Sequence, residues 1–144
     1  MFRFICCILF LFASQFSSGD QASQSFRVIV NAHNSVKSLK PAALSEIFLK
    51  KVVVWPDEMI IQPLDLPADS AVRIQFTDTI HQRSMAWIKN YWQQRIFSGK
   101  ELPPREMKTD EDVIKFVMTH QGAIGYVSDK ADLKDVTILS IDPK

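Results

Sequence analysis

Short apolar runs rich in β-branched residues alternate along the chain with amphipathic segments, and no segment is repeated. The runs at 26–31, 60–66, 123–127 and 136–140 predict strands. Between them, apolar residues recur every three or four positions, which predicts helices. Strands that alternate with helices favour a sheet flanked by helices. The sequence therefore predicts an α/β domain.

Two helices are predicted in the first half of the domain. The segment 38–49 offers Ser38 as a candidate cap and places Pro41 in the first turn. The second helix is expected to begin at Ser70. Its inward-facing residues are Val72, Phe76 and Ile80. Pro63, in the strand run before it, indicates an edge strand or an early break, because proline cannot donate to a sheet ladder.

Two more helices are predicted in the second half. One runs from Ser84 to Phe97 and ends at Gly99, because glycine suits the left-handed position after a helix. The other begins at Thr109, whose hydroxyl can cap it, and Gly122 is expected to end it. The inward-facing residues of this last helix are Val113, Phe116 and Val117. Aromatic residues of the earlier helix have a spacing that favours core packing over a stacking platform for sugars or bases; they are Trp87, Tyr91 and Trp92.

The first residues of the chain are expected to act in export rather than in folding. Residues 1–19 combine Arg3 with an apolar run of about ten residues and small residues before the expected cut. This pattern is typical of a signal peptide, since a membrane span needs about 20 apolar residues. An uncleaved membrane anchor is the alternative. Cleavage near Gly19 would also remove both cysteines, Cys6 and Cys7, and leave a core without disulfides.

The rest of the chain is expected to form one domain. Residues 20–25 are polar and predict a flexible lead, and residues 26–144 predict a single domain. About 125 residues bury one hydrophobic core but hardly two. The formal net charge is only +1, and Arg3 alone supplies it. A neutral domain of mixed charges gives no electrostatic reason to expect nucleic acid as a partner.

The motifs of catalysis and of metal binding are absent from the sequence. The three histidines, His33, His81 and His120, have no paired metal-ligand spacing. The chain also lacks a glycine-rich phosphate loop and a nucleophile elbow. We therefore expect no catalytic residue, no metal and no cofactor, and the chain is predicted not to be an enzyme.

One segment is a candidate ligand site. At Ser70 the second strand runs directly into a helix start, where unpaired backbone N–H groups and the helix dipole attract anions. Ser70 adds a hydroxyl, and Arg73 could supply a bidentate guanidinium. The predicted anion-binding residues are Ser70, Ala71, Val72 and Arg73. The alternative is a plain helix cap by Asp69 or Ser70 beside a solvated arginine.

Several segments occur together in one known family. Residues 46–57, E-I-F-L-K-K-V-V-V-W-P-D, resemble the signature I-F-x-G-x-x-x-x-W-x-D of periplasmic phosphate-binding proteins, the capture subunits of phosphate ABC transporters. The strand at 28–31 resembles the family's V-V-N strand, and residues 122–127 resemble its G-A-I-G-Y strand. The resemblance extends over residues 26–128, and residues 83–105 are similar to short stand-alone members.

This resemblance implies a type II periplasmic-binding-protein fold, in which a hinge joins two α/β lobes that grip the ligand between them. The sequence corresponds to one such lobe, with a mixed sheet flanked by helices. The family's helix start, G-S-G-T, contacts phosphate. Here it reads Asp69-Ser70-Ala71-Val72, so a carboxylate replaces glycine and the threonine hydroxyl is lost. Lys50 likewise replaces the glycine of I-F-x-G.

Two functions follow from the resemblance. The first is a periplasmic module that binds phosphate or another small anion, weakly or with help from a periplasmic or membrane protein or from a second copy in a homo-oligomer. The second is a protein-interaction or assembly module that has lost its ligand. A polar cleft around Ser70 and Arg73 would favour the first function, and an apolar patch would favour the second.

Overall fold

Six strands form one mixed sheet in a computed structural model of the protein, which describes residues 25–143. The predicted signal peptide and nearly all of the predicted lead lie outside the described residues. The strands are β1 (Phe26–Asn31), β2 (Ser38–Leu39), β3 (Gln62–Asp65), β4 (Arg105–Glu106), β5 (Ala123–Ser128) and β6 (Val136–Ile141). Their order across the sheet is β2-β6-β1-β5-β3-β4.

Strand β1 lies near the middle of the sheet, and five of its six residues are buried. It pairs antiparallel with β5 on one side and with β6 on the other. The pairs of β3 with β5 and with β4 are parallel, as is the pair of β2 with β6. In β1, the residues Val28, Ile29 and Val30 are at most 1% exposed. Such burial on both faces matches the continuous apolar run that predicted this strand.

Four α-helices surround the sheet: α1 (Pro41–Phe48), α2 (Ala71–Phe76), α3 (Met85–Phe97) and α4 (Asp110–Thr119). A π-helical turn, Thr77–His81, continues α2. The cap predicted at Thr109 is present, since its side chain accepts a hydrogen bond from the backbone N–H of Asp112, and Ser84 caps α3 in the same way. No helix within residues 25–143 is long and apolar enough to cross a membrane.

The predicted cap at Ser38 is wrong. Ser38 lies in β2 and pairs with Ser140, and α1 begins three residues later, with Lys40 at the N-cap and Pro41 as its first residue. Proline excludes the helical conformation for the residue before it, so Lys40 is extended, with φ −72° and ψ 151°. The chain therefore adds a short strand before it turns into the helix.

Pro63 does not mark an edge strand, because β3 lies between β5 and β4. The N–H of Gln62 donates to Gly122 in the direction of β5 (3.0 Å), so the nitrogen of the next residue faces the other way. On that side β4 pairs only with Leu64 and Asp65. Pro63 thus occupies a position where no ladder donor is needed.

Gly122 does not end α4, whose C-cap is His120. Glycine is required at 122 for a different reason, since a Cβ atom there would collide with the backbone carbonyl oxygen of Ile60. The same close approach lets the carbonyl of Gly122 accept from the indole N–H of Trp55 (3.1 Å). Gly122 was predicted to end a helix, but in the fold its lack of a side chain allows the backbone of Ile60 to pack against it.

Aromatic rings join α1 and α2 to the sheet. The ring of Phe76 stacks on that of Tyr126 with centroids 3.9 Å apart, and Phe26 and Phe48 pack around this pair. All four are at most 2% exposed. A smaller cluster of Leu49, Ile88 and Trp92 attaches α3 to the end of α1. The core thus fixes the start of α2 against the end of β3.

Candidate functional site

The start of α2 has the geometry of a capped helix. Ser70 is the N-cap, and its Oγ accepts from the N–H of Arg73 (3.4 Å). Its own N–H donates to the carbonyl of Pro67 (2.9 Å). The N–H groups of Ala71 and Val72, the first two of the helix, have no acceptor within it. Ala71 is exposed and Val72 half-buried, so this end of the helix is accessible to a small ligand.

Arg73 points into the protein. Its Nη1 donates to the carbonyl of Leu66 (2.6 Å) and lies 3.2 Å from Oε2 of Glu106, and its Nη2 lies 3.3 Å from Oδ2 of Asp65. Arg73 is only 9% exposed, so the alternative of a solvated arginine is wrong. Of its two acidic partners only Glu106 is accessible, with a side chain 57% exposed. Both Nη atoms of Arg73 therefore already have partners within the protein.

Tyr126 completes this cluster from β5. Its hydroxyl donates to Oδ1 of Asp65 (2.7 Å) and accepts from the N–H of Leu66 (3.3 Å). Burial raises the pKa of Asp65, and the charge of Arg73 and the hydrogen bond from Tyr126 oppose that rise. Burial and the adjacent carboxyl group also raise the pKa of Tyr126. We call Asp65, Arg73, Tyr126 and Glu106 the buried polar network.

This network was not predicted from the sequence, although one signal for it exists. Asp65 is the only charged residue in the apolar run 60–66, and a charge within a buried strand requires a partner. The partner could not be named from the sequence, because Arg73 reaches back from the next helix and Tyr126 comes from a strand 61 residues away.

The charges around the start of α2 are mostly negative. Asp69 is exposed and directly precedes Ser70, and Asp65 and Glu106 face the single cation of Arg73. Free N–H groups therefore attract an anion at a place where the carboxylates repel it. The four predicted residues do lie together, but only the first three present groups to solvent at the helix start.

A groove of about 460 Å³ lies beside Arg73, between α3 and the extended segment that leads into β4. Its apolar lining consists of Met85, Ile88, Trp92, Ile96, Pro103 and Pro104. We call it the α3 groove. An apolar surface, rather than a polar cleft, therefore adjoins one side of the predicted anion site.

A smaller polar recess of about 440 Å³ lies at the start of α1. Within it the hydroxyl of Ser45 lies 2.9 Å from Nδ1 of His81. Burial, and then the charge of Arg73, lower the pKa of His81 to about 4. His33 and His120 lie elsewhere in the fold, and residues 25–143 contain no group of three side chains suited to hold a metal ion.

The aromatic residues of α3 pack as predicted. Trp92 is 6% exposed and belongs to the smaller core cluster. The hydroxyl of Tyr91 donates to the carbonyl of Leu49 at the end of α1 (2.8 Å). Trp87 stacks on Tyr91 with ring centroids 5.4 Å apart. These three rings anchor α3 on α1.

Comparison with solved structures identifies proteins of similar fold. A Vibrio cholerae ABC-type phosphate transport receptor matches with a TM-score of 0.65 at 17% identity, over 83% of this chain and 48% of the receptor. PstS from Borrelia burgdorferi matches with a TM-score of 0.62 at 13% identity, over 83% and 48%. The chain shares their fold.

A third similar structure contains a ligand. It is a Clostridium perfringens protein assigned as a phosphate ABC transporter substrate-binding protein and solved with bound phosphate. It matches with a TM-score of 0.66 at 16% identity, over 82% of this chain and 45% of its own. No family model matches the sequence, and no curated protein matches it either.

These matches confirm the predicted fold class, one α/β lobe of a periplasmic-binding-protein fold with a mixed sheet flanked by helices. The chain spans about half the length of the structures that it matches. Those structures are described as transport receptors and substrate-binding proteins.

Proposed function

We propose that this chain is a periplasmic solute-binding-protein-like module that binds phosphate or a similar small anion at the start of α2. The observation that carries the proposal is the geometry of Ser70, which caps an accessible helix start at the end of β3. In α/β sheets, ligands bind beyond the carboxyl ends of the strands, where helix N-termini supply N–H donors. Ser70, Ala71 and Val72 would contact the anion.

Arg73 has a positioning role in this proposal. Its guanidinium holds the end of β3 through Leu66 and Asp65, and so fixes the turn from which α2 begins. The carboxylate of Asp69 would weaken anion binding, because Asp69 directly precedes Ser70 and its negative charge would repel the anion. We therefore expect the chain alone to bind phosphate weakly, in the millimolar range.

A second protein surface would complete the site. The similar phosphate receptors are about twice as long as this chain, so groups from another body would be needed to enclose the anion. That body is a periplasmic or membrane protein, or a second copy of this chain. In this proposal residues 1–19 direct export to the periplasm, and the module is not an enzyme and uses no metal, cofactor or nucleic acid.

Calorimetric titration with phosphate at constant ionic strength tests the proposal, with chloride as the reference anion. We expect saturable heat at millimolar phosphate and a two- to ten-fold increase in affinity for Asp69→Asn, which removes the repelling charge while keeping the shape of the side chain. Asp132→Asn, in the exposed loop between β5 and β6, is the matched control and should change nothing.

Ser70→Ala should abolish the heat. The matched control is Ser84→Ala, because Ser84 caps α3 with the same geometry (3.2 Å to the N–H of Trp87) and loses a similar amount of helix stability. The proposal would be refuted if Ser70→Ala gave the same titration as the unaltered protein. It would also be refuted if the unaltered protein gave no heat even after its concentration was raised about 20-fold. A rise in affinity with protein concentration would identify the second body as another copy.

An assembly function is the second candidate, and one observation favours it. Phe97, at the end of α3, is 91% exposed, and Leu102 nearby is 65% exposed. Where exposed apolar side chains form one contiguous patch, they can mark a protein–protein contact. If this patch joins two copies, sedimentation velocity will show a dimer that Phe97→Ser dissociates; a monomer at all concentrations would refute self-assembly through it.

A further inference from the structure

The α3 groove combines an apolar lining with one cation that lacks a partner. Ile88 and Trp92 form its floor and are 5% and 6% exposed, whereas Ile96 is 48% exposed. Lys89 lies on the same helix, lines the groove and is exposed. Within residues 25–143, Lys89 has no acidic side chain in ion-pair contact.

The other charges at the groove neutralise each other. Glu106 and Arg73 both line it, and they form an ion pair of 3.2 Å. Helix α3 itself carries Lys89 and Arg95 and no acidic residue. Among the charged residues that line the groove, Lys89 is therefore the one without an ion-pair partner; Asp65, the second acidic partner of Arg73, does not line it.

We infer that the α3 groove binds a small amphiphilic anion, a free monocarboxylate with an apolar chain of medium length. The chain would lie over Ile88, Trp92 and Ile96, and the carboxylate would pair with Lys89. A volume of about 460 Å³ is within the usual range for small-molecule sites, which are mostly apolar with a few polar groups that orient the ligand. Burial of the chain supplies the affinity, and Lys89 selects the sign of the head group.

This site is separate from the proposed anion site at the start of α2. Phosphate has no apolar part and would gain nothing from the groove, and a medium-chain carboxylate does not need Ser70. Each of the two proposals can therefore fail while the other holds.

Two probes with equal chains and opposite charge test the inference on the intact protein: decanoate and decyltrimethylammonium, both below their micelle concentrations. Methyl NMR of the isoleucines reports the position. We expect decanoate to shift Ile88 and Ile96 and to leave Ile138, on the far strand β6, unchanged. It should bind at least three-fold more tightly than the cation. Equal affinities, or equal shifts at Ile138, would overturn the inference.

Two variants identify the groups involved. Lys89→Gln should weaken decanoate binding about two- to five-fold, the value of an exposed ion pair, and leave the cation no weaker. Lys130→Gln, at an exposed loop, is the control. Ala86→Trp fills the groove from an exposed position and should abolish binding of both probes. Decanoate binding that survives Ala86→Trp would place its site elsewhere and overturn the inference.

Discussion

Gly125 shows how a single residue can fix the distance between a helix and the sheet. A Cβ atom at this position would lie 2.5 Å from Cγ1 of Val113 on α4 and 3.6 Å from Cβ of Leu64 on β3. We expect Gly125→Ala to destabilise the fold by about 1–3 kcal/mol, because the core must expand to accept the methyl group. Urea unfolding followed by circular dichroism measures this loss.

The double variant Gly125→Ala/Val113→Ala tests the cause. Val113→Ala removes the methyl groups that a Cβ at 125 would meet. The double variant should therefore lose about 1 kcal/mol less stability than the sum of the losses in the two single variants. Gln94→Ala, at an exposed position of α3, is the control and should change the free energy of unfolding by less than about 0.5 kcal/mol. Full additivity of the two core changes would contradict this explanation.

His81 gives the fold a pH dependence of known sign. Its pKa is about 4 in the folded protein against 6.5 in the unfolded chain, so between these values the unfolded chain binds a proton that the folded one does not. Its contribution to stability is therefore complete above about pH 6.5 and is lost as the pH falls towards 4, on the order of 2–3 kcal/mol in all.

His81→Gln keeps a hydrogen-bonding partner for Ser45 but cannot titrate. Its free energy of unfolding should vary less between pH 6.5 and 4 than that of the unaltered protein. Gln94→Ala, at an exposed position of α3 without a titratable group, should keep the original slope. If all three proteins show the same slope, His81 is not the titrating group.

At the scale of elements, Arg73 links α2 to β3 and β4. It donates to Leu66 directly after β3 and pairs with Asp65 within β3 and Glu106 within β4. Arg73→Met keeps the volume but leaves Asp65 buried without its cation, and we expect a loss of about 3 kcal/mol. Glu106→Gln, at the exposed side of the network, should cost less than about 1 kcal/mol.

Asp65→Asn combined with Arg73→Met separates charge from packing. If the loss in Arg73→Met arises from the uncompensated carboxylate, neutralising Asp65 should recover about half of it. Thermal unfolding of the two single variants and the double variant measures the coupling. A double variant as unstable as the sum of both would mean that the hydrogen bond to Leu66, rather than the ion pair, joins these elements.

At the scale of the whole molecule, the main core cluster can be located within the described residues 25–143. There its buried members fall between Phe26 and Leu139. A protein that begins at Ser25 should therefore unfold at the same denaturant concentration as one that begins at Asp20, with free energies within about 0.5 kcal/mol. A larger difference would show that the predicted lead packs on the domain.

Four of the six strands and most helix starts were predictable because their causes are local, whereas the two-residue strands β2 and β4 were not predicted. The apolar runs set β1, β5 and β6, and the hydroxyl cap at Thr109 acts over three residues. The prediction at Ser38 failed where a distant segment intervened, since pairing with β6 drew that residue into the sheet. A strand partner over a hundred residues away leaves no signal in a local pattern.

The sequence by itself determined the α/β class and the candidate helix start at Ser70, because periodicity and caps depend on near neighbours. Only the tertiary structure decided what surrounds that helix start. It turned Arg73 inward onto Asp65, brought Tyr126 to the same carboxylate and placed an apolar groove beside them. These contacts depend on packing between elements distant in the chain, and local patterns in a single sequence do not reveal which distant elements pack together.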